Sequence, residues 1–94
     1  MDEYRLVKVI WKDIQGIEGP WVDFQEASEI TPVTVETVGW VVVEDSKFVT
    51  LVSSLEAQKT FCGSITSIPK GCILSMTLVS VGTVDVLTEK SDSL

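Results

Sequence analysis

A chain of 94 residues, 45% of them hydrophobic, has room for one domain with a small core. Fourteen acids stand against seven bases and no histidine, a net charge of −7 that on average repels nucleic acid and anionic membrane surfaces. Two cysteines, Cys62 and Cys72, with no histidine and no second pair, fall short of the roughly four soft ligands of a zinc site, so neither a metal nor a cofactor is expected.

The first five residues are polar and read as loose, and MDEYRLVKV carries early acids where a secretory signal would be basic and then apolar. No apolar run approaches the ~20 residues of a membrane helix, which points to a soluble, intracellular chain without a membrane partner. The two cysteines are then expected to be buried free thiols. From Leu6 to Trp11 residues alternate, with Val7, Val9 and Trp11 on a buried face and Lys8 and Ile10 on a wetter one. Gly16-Ile17-Glu18-Gly19-Pro20 is a loop, because two glycines and a proline disfavour regular structure. Trp21 and Phe24 are expected to anchor this loop on the core. Asp23 to Ile30 has the pattern of one or two helical turns, with Asp23 as N-cap and Glu26 three residues on. Pro32 ends it.

Val33 to Val43 is β-rich, and from Val38 to Val43 all side chains but Gly39 are apolar, which predicts a strand covered on both faces. Gly39 marks a bulge, a bend or a close backbone approach. The chain folds back at Glu44-Asp45-Ser46-Lys47, and Phe48 to Leu55 returns with Val49, Leu51, Ser53 and Leu55 facing inward. Phe61 to Ile68 is a fourth strand, broken by Pro69-Lys70-Gly71, where glycine permits positive φ. Cys72 to Val81 resumes extended structure with Leu74, Met76 and Leu78 opposite Ile73, Ser75 and Thr77. Val84 to Leu87 is a last apolar run, suited to an edge strand or to a neighbouring copy. Five strands with at most one short helix predict an all-β fold, a small five-stranded SH3-like barrel, over residues 1–88, followed by a disordered tail at 89–94.

Two stretches carry a family resemblance. Gly39-Trp40-Val41-Val42-Val43-Glu44-Asp45 resembles the first motif of Sm-like proteins, a glycine two before an aliphatic residue and six before an aspartate. There the aspartate precedes an aromatic, an aliphatic and a leucine; here Phe48-Val49-Thr50-Leu51 follows, with one extra residue in the turn. Ile68-Pro69-Lys70-Gly71-Cys72-Ile73 is similar to the second motif, a short apolar–basic–glycine turn. The match of pattern covers residues 33–78. The insert at 16–32 stands where that family has a leading helix, and the family's polar base-reading residue has no counterpart. The chain also resembles small proteins of tailed phages and marine metagenomes through Trp11/Trp21, Val38-Gly39-Trp40, Glu44-Asp45 and Ile68-Pro69-Lys70. That likeness implies a phage-related origin and the cytoplasm of a microbial host cell.

The Sm-like resemblance implies a homo-oligomeric ring in which the fourth strand of one copy pairs with the fifth of the next. Phe61, Ile65, Leu74 and Met76 would form the interface. It also implies an RNA or nucleotide site at Asp45, Ser46, Lys47, Phe48, Lys70 and Gly71; no DNA partner is expected. Each sharp reading has a plainer rival. Lys70 contacts phosphate or is a solvated turn lysine; Trp40 stacks a base or fills a core or interface. Trp21 packs within the fold or meets a ligand or a partner. Glu44-Asp45 reads better as a solvated turn than as an acid/base pair. Without histidine neither the serines nor the cysteines have a base to activate them, so the expectation is a protein that is not an enzyme. The first functional reading is an Sm-like module that binds RNA or nucleotide. The alternatives are a structural or interaction protein of phage origin, and a sponge for a small nucleotide signal.

Overall fold

The computed structural model describes residues 4–79. The run 84–87 and the tail at 89–94 lie outside that range. The elements in chain order are β1 (Leu6–Asp13), α1 (Phe24–Ser28), β2 (Val33–Glu44), β3 (Phe48–Leu55), β4 (Cys62–Pro69), a 3₁₀ turn (Lys70–Cys72) and β5 (Ile73–Leu78). They form one antiparallel sheet in the order β4-β3-β2-β1-β5. The expected all-β architecture with one short helix is present. Among the described residues the sheet does not close into a barrel: β4 and β5 are its two edges, and no ladder joins them.

The long β2 explains how so short a chain makes a layered core. Its first part, Val33 to Trp40, pairs with β1, and its last part, Trp40 to Glu44, pairs with β3. Gly39 sits where the partners change. A Cβ there would lie 2.8 Å from the Val52 carbonyl oxygen and 3.2 Å from the Leu51 Cβ, so the glycine is required by a close backbone approach. The bulge in this strand falls instead between Val41 and Val43, opposite Leu51 and Thr50.

The core is Val7, Val9, Val41, Val49, Leu51 and Ile68, with Trp11, Cys72, Ile73 and Met76 packed against it. The alternation in β1 therefore holds, as does that of Val49 and Leu51 in β3; Ser53 is exposed. Val52, on the other side of β3, is also buried, and the ladder puts it directly across from Trp40 and Ile65. Trp40 is half-buried in this second, smaller apolar patch, while Trp11 donates its indole N–H to Thr37 Oγ1 at 2.9 Å.

Several expectations are corrected. β2 is not covered on both faces, since Val38 and Val43 are about half exposed. In β5 the alternation breaks: Ile10 pairs with Ser75 and Trp11 with Ile73, so Leu74 is bulged out and Ile73 joins Met76 on the inner side. One inserted residue reverses the side on which all preceding side chains fall. Cys62 is exposed and Cys72 half-buried; both are free thiols, but they are not a buried pair. Arg5 is not loose, because its carbonyl accepts a hydrogen bond from Val41 N–H at 2.8 Å.

The excursion between β1 and β2 departs furthest from expectation. Asp23 caps α1 as anticipated, its carboxylate accepting from Glu26 N–H at 2.7 Å. Trp21 and Phe24, however, do not anchor anything on the core: both are almost fully exposed. α1 buries no residue, so it rests on its cap and on local hydrogen bonds alone. Gly19, at φ +134°, takes a conformation open to glycine and strained for other residues.

Candidate functional site

The two motif stretches meet at one end of the sheet. Antiparallel pairing of β3 with β4 sets Phe48 opposite Pro69, which brings the β2–β3 turn beside the turn that follows β4. Lys70 N–H donates to the Lys47 carbonyl at 2.8 Å, joining the turns directly. Pro69 stands at the last position of an edge strand, where a missing N–H leaves no ladder bond unmade. Asp45, Lys47, Phe48, Lys70 and Gly71, far apart in sequence, thus form one surface.

Within the β2–β3 turn the Asp45 carboxylate accepts from Lys47 N–H at 2.7 Å and from Phe48 N–H at 3.0 Å, while Asp45 N–H donates to the Phe48 carbonyl at 3.1 Å. This is the local capping for which a short acidic side chain is suited in turns. Glu44, the last residue of β2, accepts from Lys70 Nζ at 2.7 Å and from the Arg5 guanidinium. The hydrogen bond from Lys70, and after it that from Arg5, holds the Glu44 carboxyl below the ordinary glutamate range. Both carboxylates therefore hold the turns in place.

Arg5 and Glu44 were not among the expected site residues. A signal for Arg5 exists in hindsight: antiparallel β1–β2 pairing with Leu6 opposite Trp40 carries the preceding residue to the end of β2. Among the described residues, Arg5, Lys47 and Lys70 meet Glu44 and Asp45 at this corner, three cations to two carboxylates on a strongly acidic chain. Lys47 is exposed and forms none of the ion pairs found among the described residues. Gly71 has open space around it and an ordinary φ, so its turn does not need the freedom expected of it.

The residues expected at an oligomer interface divide. Phe61, just before β4, and Ile65 on β4 are exposed along one sheet edge, and Leu74, exposed at its bulge, lies on the other edge with Leu78. Met76 packs inward on the core of its own chain. Among the described residues no group of three acidic or cysteine side chains is arranged to hold a metal ion. Scans against protein-family models, curated proteins and solved structures find no match to this chain.

Proposed function

We propose that this protein is a non-enzymatic, self-assembling module of Sm-like type, in which β4 of one copy pairs with β5 of the next to form a closed ring. The observation that supports it is the open sheet whose two edges, β4 and β5, both carry exposed apolar side chains. Unpaired apolar edges promote uncontrolled association, and cyclic pairing satisfies every edge without leaving a growing end. Sedimentation over a range of concentrations tests the reading. A defined oligomer is expected, and a strict monomer would refute it.

On this reading the loops at Lys47 and Lys70 are the binding surface, repeated around the ring, and an RNA strand or a nucleotide phosphate is the ligand class. The hydrogen bond between the two turns favours this over a purely structural role, since it places Lys47, Lys70 and Phe48 together. Repetition matters because a single copy offers few cations. Several weak phosphate contacts on one assembly raise avidity beyond that of any one of them. Salt-dependent binding of single-stranded RNA, abolished by mutating Lys47 and Lys70, is the expected result. Assembly without any such binding at low salt would leave the ring itself as the functional unit, the rival structural role.

A further inference from the structure

We propose that the excursion between β1 and β2 is a docking arm for a basic, amphipathic segment of another protein. Trp21 is 90% exposed and Phe24 95% exposed, three residues apart at the start of α1. Large aromatic side chains displayed in this way are typical anchors of protein–protein contacts, since they bury much area for few rotatable bonds. Phe24 opens α1, and Trp21 lies in the irregular segment just before its cap. Register pairing of Asp13 with Val33 closes the base of the arm, Asp13 Oδ1 accepts from Ile14 N–H at 2.8 Å, and Asp23 caps the helical turn. A shallow recess at the base, lined by Ile14, Gln15, Ile30, Thr31 and Pro32, offers a slot for an apolar side chain of the partner.

Charge selects the occupant. The arm and its base carry Asp13, Glu18, Asp23, Glu26 and Glu29, and no lysine or arginine occurs from Asp13 through Ser46. An apolar surface set among these carboxylates, with Lys12 beside Asp13 as the neighbouring cation, is acidic on balance and repels nucleic acid and anionic lipid. A cationic amphipathic segment satisfies both features at once, its apolar side meeting Trp21 and Phe24 and its lysines or arginines meeting the acids. The arm joins two central strands and lies at the opposite end of β2 from the Lys47–Lys70 corner, on neither sheet edge.

The full chain is titrated with a leucine/lysine amphipathic peptide and, in parallel, with its leucine/glutamate counterpart, following tryptophan emission and the anisotropy of labelled peptide. The lysine peptide is expected to bind and the glutamate peptide not. Binding should weaken as ionic strength rises from about 0.05 M to about 0.5 M. Trp21→Ala/Phe24→Ala should weaken it about tenfold or more with an unchanged thermal midpoint. Glu18→Gln/Glu29→Gln, which keeps the aromatic pair, should flatten the salt dependence. The proposal is overturned if the lysine peptide does not bind, if both peptides bind alike, or if the aromatic double variant binds as wild type does. It is also overturned if that variant alters sedimentation without peptide, which would make a second copy the occupant. Flotation of the wild type with anionic vesicles, which would make a membrane the occupant, overturns it too.

Discussion

Lys70 N–H donates to the carbonyl of Lys47 at 2.8 Å, and this hydrogen bond ties the turn after β2 to the turn after β4. Two lysines separated by more than twenty residues in sequence thereby lie on one surface, with Glu44 bridging Lys70 to Arg5 beneath them. If that surface meets phosphate, each lysine contributes through counterion release. Lys47→Ala and Lys70→Ala should each lower the slope of log affinity against log salt by about 0.7 for every single-strand phosphate that the lysine neutralises. Equal slopes in wild type and both variants would remove these lysines from any binding site.

Glu44 restrains the same surface by pairing with its cations. Glu44→Gln should therefore strengthen anion binding, read as tighter RNA or polyphosphate association at fixed salt. Its carboxyl is held below the ordinary glutamate range by Lys70 first and Arg5 second. A depressed acid contributes stability above its unfolded-state pKa and loses it as pH falls through the folded-state value. The thermal midpoint of wild type should exceed that of Glu44→Gln at neutral pH by a small, salt-sensitive margin, because the group is solvent-screened. The margin should close below the ordinary glutamate range; one that stays constant into acid would disprove the linkage.

Two glycines should respond in opposite ways. Gly39→Ala places a methyl group 2.8 Å from backbone at Val52, which cannot move aside as a side-chain end could, and should cost about 1–3 kcal/mol. Gly71→Ala meets nothing within 4 Å and should change stability by no more than about 0.5 kcal/mol. Chemical denaturation of the two variants decides this.

Ser64 holds φ +57° within edge strand β4, between the Val52–Ile65 and Ser54–Gly63 pairs. Left-handed backbone costs residues with a Cβ about 1–2 kcal/mol, so Ser64→Gly should be tolerated or stabilising. Ser64→Val should destabilise by at least about 1 kcal/mol, because β-branching crowds that conformation further. A Val variant as stable as wild type would mean the strand straightens at no cost.

The sheet edges can be tested without touching the core. Ile65→Lys and Leu74→Lys replace exposed side chains, so each variant should still fold and unfold cooperatively while the sedimenting species falls to monomer. Loss of folding in both would show that these residues serve the single chain. Met76→Lys should instead unfold it, since Met76 packs on the core.

Much of the strand plan was legible because it rests on local patterns. Period-two alternation located Val7 and Val9, a turn rich in acids and serine located the β2–β3 reversal, and Asp23 with Glu26 located a helix cap. What alternation could not reveal was where it is interrupted. The bulges at Val42 and Leu74 arise from pairing between strands, and each changes which side chains reach the core. The exposure of Trp21 and Phe24 was likewise hidden, because an aromatic residue reads as buried until the fold brings no neighbour to it.

The sequence by itself determined an all-β chain of five strands, strongly acidic, with its apolar residues concentrated in the Val38–Leu55 hairpin, because period and charge are local properties. Only the tertiary structure decided that, among the described residues, the sheet stays open at β4 and β5, and that Glu44 and Arg5 hold the surface on which Lys47 and Lys70 meet. Both outcomes depend on strand order and register, which pair residues distant along the chain and leave no trace in the neighbourhood of either one.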